Sequence, residues 1–187
     1  MASSKDDVRL SRAMSRALRH APEEYGLELA ADGSVPLRDL VRGLRAAGRP
    51  DVTDADVRRV VAESDKQRYA LDGNRIRAQY GHSVPERIRK REVLPDGPLW
   101  HATAPKLWPT IRDVGLLPMG RQYVHLINDP ELALQAGRRK ASWPLLLRID
   151  TRRAVVDGVK FYEGHDQVTL ADHVPGTFLA VVDPTER

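Results

Sequence analysis

Residues 69–78 read Tyr-Ala-Leu-Asp-Gly-Asn-Arg-Ile-Arg-Ala. Two short runs flank Asp72-Gly73-Asn74, and Asp-Gly is a strong tight-turn signal, so the stretch predicts a β-hairpin. What precedes it reads as helix. Val8, Leu10, Met14, Ala17 and Leu18 follow helical spacing until His20-Ala21-Pro22, where proline disfavours helix at the residue before it. Leu37, Leu40, Val41 and Leu44 share one helical face, closed by Gly48. Thr53 with Asp56 three residues later resembles a capping box and opens a helix through Val57, Val60 and Val61. Leu27-Glu28-Leu29 reads as a short strand, Asp32-Gly33 as a turn and Val35 as a returning strand.

Three helices closed by a hairpin predict a winged-helix module. Residues 83–98, SVPERIRKREVLPDGP, are polar, charged and broken by prolines, and predict an interdomain linker. Beyond it, Leu99-Trp100-His101 predicts a strand, and Leu107, Ile111 and Val114 a helix ended by Gly115. Tyr123–Ile127 predicts a strand; Asp129-Pro130 supplies an N-cap and a first-turn proline for a helix to about Arg139. Leu145–Ile149, Val155–Val156, Lys160–Tyr162, Val168–Leu170 and Phe178–Val182 read as further strands. The fold class is α+β, with an N-terminal lobe over residues 1–92 and a C-terminal mixed sheet or sandwich over 93–187.

The chain has 187 residues, 30 of them basic and 26 acidic, and no cysteine. A disulfide framework, thiolate metal sites and thiol catalysis are thereby excluded. No long uncharged apolar run exists and the start, MASSKDD, lacks an apolar signal core, so a cytoplasmic protein without membrane contact is expected. Six of the basic residues are Lys and the other 24 Arg, the residue that grips phosphate in two-point geometry. There is no G-x-G-x-x-G, Walker A, G-x-S-x-G or H-E-x-x-H, and the histidines never fall at i, i+4. No metal is expected.

Four constellations carry chemistry. Arg19-His20 ends the first helix, where the plain role is to complement the helix dipole and the sharper one pairs an anion fork with a titratable imidazole. Ser64-Asp65-Lys66-Gln67-Arg68-Tyr69 is either a solvated charge run or a segment that projects Arg68 while Tyr69 packs. Arg75 and Arg77 share a strand face ahead of Gln79-Tyr80-Gly81-His82-Ser83, a flexible donor loop for phosphate or ribose, or simply a basic wing. The fourth is Trp100-His101-Ala102-Thr103 with Gly120-Arg121-Gln122-Tyr123-Val124-His125-Leu126. A lone strand histidine is commonly structural, whereas Gly120 lets backbone approach a ligand beside Arg121.

In combination these residues resemble the RNA 2′-phosphotransferase family. The resemblance rests on Leu18-Arg19-His20-Ala21-Pro22, Ser64 to Tyr69, Ile76-Arg77-Ala78-x-x-Gly81-His82-Ser83, Leu99 to Thr103 and Arg121 to Leu126, in family order from about residue 10 to 183. It implies a winged-helix lobe joined to an ADP-ribosyltransferase-like lobe, with NAD⁺ consumed as co-substrate. By motif, the catalytic set falls on Arg19, His20, Arg68 and Arg121, and the cofactor-binding residues on His82, Ser83, His101 and Thr103. Ala102 and Tyr80 stand where the family usually has Gly and Gln, and Ile127-Asn128 replaces a Ser. The implied partner is RNA bearing an internal 2′-phosphate, as in tRNA splicing or RNA repair, and the implied state a monomer.

Two other readings compete. A plain winged-helix nucleic-acid binder would lead its reading helix with Asp54 and Asp56, which repel phosphates, and leaves the second half without a task. An ADP-ribosyltransferase that caps 5′-phosphate ends would use the same arginines and stop after one step.

Overall fold

The protein is described here from a computed structural model that covers residues 5–63 and 67–182. Its contacts divide it into two compact units, Met1–Arg89 and Lys90–Arg187. The architecture is α+β, with two sheets. Ser64, Asp65 and Lys66 of the charged run lie outside the described residues.

The first unit forms where helical stripes meet a small sheet. Helix α1 (Lys5–Arg19), α2 (Leu37–Ala46) and α3 (Asp54–Ala62) pack Met14, Leu18, Leu40, Leu44 and Val57 into one core with Tyr69 and Ile76 of the hairpin. The capping box at α3 is formed: the Asp56 amide donates to Thr53 Oγ1 at 3.2 Å, and the Thr53 amide to Asp56 Oδ2 at 3.0 Å. Strands β2 (Tyr69–Asp72) and β3 (Arg75–Ala78) make the hairpin, with Gly73 in the left-handed turn conformation, φ 56°. The strand expected at 27–29 does not form. Strand β1 (Ser34–Pro36) instead pairs with β3, Val35 opposite Ile76, because the hairpin offers Val35 an apolar partner.

The boundary between the two units, after Arg89, falls inside the tract at 83–98 expected as an interdomain linker, and each half of the tract packs onto the unit it adjoins. Val84 and Ile88 are buried in the first unit, and the Arg89 amide donates to the Ala31 carbonyl at 2.8 Å. Further on, Glu92–Val93 is strand β4, and Thr151 Oγ1 donates to the Gly97 carbonyl at 2.8 Å. Apolar side chains spaced through the prolines give both halves of the tract something to bury.

The second unit is built on β5 (Leu99–Thr103), β6 (Val124–Ile127), β7 (Leu145–Ile149), β8 (Phe161–His165), β9 (Val168–Ala171) and β10 (Leu179–Val182). With β4 they form one seven-stranded sheet, order β10-β7-β5-β6-β9-β8-β4. Every described pairing in it is antiparallel, so it is neither a mixed sheet nor a sandwich. Helix α4 (Trp108–Val114) and α5 (Pro130–Gly137) fall where expected, the latter capped by Asp129, whose Oδ1 accepts from the Leu132 amide. Val155–Val156 is not a strand. It ends helix α6 (Thr151–Val156), because Asp150 Oδ1 accepts from the Arg153 amide and starts a helix that β-branched propensity does not override. No helix among the described residues is long and apolar enough to cross a membrane.

Alternation along β5 positions the chemistry of this unit. Leu99, His101 and Thr103 take one face, Trp100 and Ala102 the other, where Ala133 and Leu134 of α5 cover them. Strand β5 pairs with β7 along its whole length but with β6 at Trp100 opposite Ile127 alone. The sheet is therefore nearly parted beyond that point.

Candidate functional site

In the first unit, α1 ends because its last carbonyls are taken up by a tight turn. The His20 and Ala21 amides both donate to the Arg16 carbonyl, and Pro22–Tyr25 continues as a short 3-10 helix. Arg16 grips Glu24 with Nε and one Nη, which closes the turn and holds the Glu24 carboxyl below its ordinary range. His20 is exposed on this turn, and its Nδ1 lies 2.9 Å from Ser83 Oγ. The preceding residue, Arg19, faces the other way and is buried.

Arg19 is held on every side. Its guanidinium carbon lies 5.6 Å from the Tyr69 ring centroid and 5.3 Å from that of Tyr80, and it donates to the Arg68 carbonyl at 3.1 Å. The Tyr69 hydroxyl is itself fixed, donating to the Ser11 carbonyl at 2.6 Å. The Arg19 carbonyl accepts from the Ser83 amide at 2.9 Å, so the 80–83 segment is laced to the end of α1. Gly81 permits this. It takes φ 86°, and a Cβ there would lie 3.4 Å from Arg19.

This ordering corrects the flexible donor loop expected at Gly81-His82-Ser83. Ser83 is exposed, but His82 is buried: a Cβ on Gly33 would lie 3.1 Å from its Nε2 and 3.1 Å from Ile88. Its imidazole anchors the segment and does not line an open surface. Arg75 and Arg77 are also engaged within their own unit. Arg75 donates to Ser34 Oγ at 2.9 Å and to the Ser34 carbonyl at 3.1 Å, and Arg77 lies 3.8 Å from Asp32. Arg68 is half-buried just ahead of β2, while Tyr69 packs inward as alternation predicts.

In the second unit, His101 stands where β5 and β6 part. Its Nδ1 donates to the His125 carbonyl at 3.1 Å, taking a place that a ladder amide would fill in a closed pair. A carbonyl only accepts, so this bond fixes the proton on Nδ1 and leaves Nε2 as an acceptor in the neutral ring. Burial pushes the imidazole below the ordinary histidine value; the bond to the His125 carbonyl opposes this, and the cations Lys140 and Arg121 add to it. Thr103, two residues along the same face, is buried.

Arg121 is exposed, on the loop entering β6. Its amide donates to the Pro118 carbonyl at 3.2 Å, closing a turn in which Met119 is held at φ 58°. The Arg121 guanidinium donates to His125 Nδ1 at 3.2 Å, which leaves the His125 proton on Nε2. Sequence reasoning quoted His125 but gave it no role; the Arg-x-x-x-His spacing into a strand was the available signal. It also gave none to Tyr80, whose face covers Arg19 from across the unit.

Comparison with known proteins is consistent over nearly the whole chain. The family described as RNA 2′-phosphotransferase, Tpt1 / KptA family, matches residues 5–173. A protein of Acetivibrio thermocellus is 43% identical over 175 residues, covering 93% of this chain and 96% of the relative. One from Thermococcus kodakarensis is 40% identical over 167 residues, 89% of this chain and 92% of the relative. One from Rhizobium rhizogenes is 38% identical over 186 residues, spanning 100% of both. Each of these relatives is described as "Probable RNA 2′-phosphotransferase".

Proposed function

The chain belongs to the RNA 2′-phosphotransferase family, and from that premise we propose that it removes an internal 2′-phosphate from RNA by transferring it to ADP-ribose drawn from NAD⁺. The observation that carries the reading is the end of α1, where a caged Arg19 adjoins an exposed His20 tethered to Ser83. A fixed cation beside an exposed, tethered imidazole suits phosphate-directed chemistry. In this reading the first unit is a winged-helix lobe and the second an ADP-ribosyltransferase-like lobe.

The reaction runs in two balanced steps. A 2′-phosphate oxygen attacks C1″ of the nicotinamide riboside, and nicotinamide leaves with the bonding electron pair. The 2″-hydroxyl then attacks phosphorus, the RNA 2′-oxygen leaves and takes a proton, and ADP-ribose 1″,2″-cyclic phosphate is released. Arg19, Arg68 and Arg121 orient the phosphate and meet the charge that grows on its oxygens. His20 orients ribose hydroxyls or moves the proton between them. Ser83 keeps His20 in place, and buried His82 holds Ser83 where it is.

The donor set of the second unit fits a dinucleotide. Neutral His101 offers Nε2 as an acceptor for an amide or hydroxyl hydrogen, Thr103 offers a hydroxyl, and Arg121 an anion fork. Only Trp100 of β5 is laddered to β6, which leaves the strand beyond it free of that ladder beside these side chains. The test is an RNA with one internal 2′-phosphate, incubated with NAD-free enzyme with and without NAD⁺, and with EDTA. Release of nicotinamide and cyclic phosphate only with NAD⁺, unaffected by chelator, is the expected result. Full dephosphorylation without NAD⁺, or loss of activity on chelation, overturns it; an RNA with only a 5′-phosphate tests the capping reaction in parallel.

A further inference from the structure

The loop between α5 and β7 carries a cluster to which the proposed chemistry gives no task beyond the field of Lys140 at His101. Helix α5 ends at Gly137, and residues 138–140 turn tightly, with the Lys140 and Ala141 amides both donating to the Gly137 carbonyl. Arg138, Arg139 and Lys140 thus follow one another on a single turn, and all three are exposed. Between Glu131 and Asp150 the chain has no acidic residue, and none of the three cations is in an ion pair with a described residue. Three residues on, Trp143 is 86% exposed. Trp100 and Trp108, by contrast, pack against the two hydrophobic clusters of the unit.

The loop is fastened at its base. A Cβ on Gly137 would lie 2.6 Å from Ala102 Cβ and 2.8 Å from Pro144 Cβ, so only glycine lets the two ends of the loop close against β5. Ala102 is the neighbour of His101 in the chain. Pro144 also confines Trp143 to extended backbone, which spares part of the entropy cost of ordering the indole on a ligand. An isolated exposed apolar side chain is ordinary on a protein surface. A nearly bare indole beside three consecutive cations that pair with no described residue is a different surface.

We propose that Trp143, Arg138, Arg139 and Lys140 form a docking platform for the unpaired RNA that flanks the reacting nucleotide. The indole face stacks on a base, and the cations follow the phosphates. Every base offers a π-face, so the platform is tolerant of sequence, as a phosphate-directed enzyme requires. A protein partner fits less well, because three like charges on one turn would each need a matching anion once desolvated in an interface, whereas the phosphates of a strand supply them in series. The platform rests on the RNA 2′-phosphotransferase reading only for what the docked RNA is doing there.

The test uses the full chain and two RNAs: a trinucleotide with an internal 2′-phosphate and an unpaired RNA of roughly ten nucleotides with the same centre. Trp143→Ala should weaken binding of the longer RNA by about 5- to 100-fold, with Trp143→Phe restoring most of it. Turnover of the trinucleotide should be unchanged. Replacing Arg138, Arg139 and Lys140 together by Gln should reduce the slope of log affinity against log salt by about 2, at about 0.7 per phosphate contact. The same titrations with RNA lacking the 2′-phosphate separate the two ideas. If that RNA still binds Trp143→Ala more weakly while no 2′-phosphate is ever removed, the platform stands and the enzymatic reading falls. If the trinucleotide turns over but wild type and Trp143→Ala bind the longer RNA equally, the platform falls. It falls equally if Trp143→Ala turns a sedimenting dimer into a monomer with RNA affinity intact, since the indole then covers a second copy of the chain.

Discussion

A guanidinium that holds phosphate in the ground state speeds nothing unless it holds the transition state better. Arg68 and Arg121 should meet that condition mainly in the second step. In the first step a C–N bond breaks beside an already bound phosphate, and the ribose oxygen shares the developing positive charge. In the second, new negative charge on the phosphoryl oxygens must be met by fixed donors, each worth roughly 3–4 kcal/mol, or about 10²–10³ in rate. Arg68→Ala and Arg121→Ala should therefore accumulate 2′-phospho-ADP-ribosylated RNA in a single-turnover time course, and Arg→Lys should recover only part of the loss. Stalling on unmodified RNA despite normal binding would assign both arginines to the first step. Arg75→Ala should leave the time course unchanged, since Arg75 is spent on Ser34. His101 makes a second prediction. Its folded pKa is depressed below the ordinary 6.5, so between the two values the unfolded chain binds the extra proton and stability falls as pH falls. His101→Asn keeps a donor for the His125 carbonyl but cannot titrate. Between pH 7.5 and 5, on the scale set by a normal histidine near ~6.5, its urea midpoint should drop less than that of the wild type. An equal drop would show that His101 is not held neutral.

At the scale of elements, what could be read from the sequence was what is locally signed. The Thr53–Asp56 capping box, the Asp72-Gly73 hairpin and the Asp129-Pro130 helix start each carry their own hydrogen-bonding instructions within four residues. Strand partners carry none. Val35 finds Ile76 only once the hairpin exists, and the Leu27–Leu29 strand fails because nothing presents a ladder to it. Helix α6 was hidden by its Val155-Val156 pair although Asp150 announced it. The same division holds at the site. Arg19-His20 was legible as an anion fork beside an imidazole, whereas the Tyr69–Arg19–Tyr80 stack and the His101 bond into a parted sheet arise from folding. One packing contact between elements can be tested directly. Gly137→Ala forces a methyl against Ala102 and Pro144, an overpacking that typically costs about 1–3 kcal/mol. The strain falls on β5 next to His101, so NAD⁺-dependent turnover should suffer along with thermal stability. Ala102→Gly in the same chain should return part of both, read as a non-additive double-mutant cycle. Simple additivity would mean that the Gly137–Ala102 approach is not what constrains β5.

At the scale of the whole molecule, each unit has a hydrophobic core of its own. Leu18, Leu40 and Ile76 belong to one cluster, and Leu126, Leu147 and Phe161 to another. The proposed residues are divided differently from the cores. Arg19, His20, Arg68 and Ser83 precede the boundary at Arg89, and His101, Thr103 and Arg121 follow it. Each core is thus local to its unit, whereas the proposed chemistry draws on residues of both. Fragments 1–89 and 90–187 test this more cleanly than a cut further on, because Glu92 and Val93 pair with Tyr162 and Phe161 and must stay with the second unit. Each fragment should give a cooperative thermal transition, which separates loss of chemistry from loss of structure. Neither should release nicotinamide or cyclic phosphate from 2′-phosphorylated RNA and NAD⁺ when assayed alone. If fragment 90–187 by itself dephosphorylates RNA at a rate near that of the full chain, then Arg19, His20 and Arg68 take no part in the reaction. If it is folded and inert, Arg121 needs the guanidiniums and imidazole of the first unit to hold the phosphate through both steps.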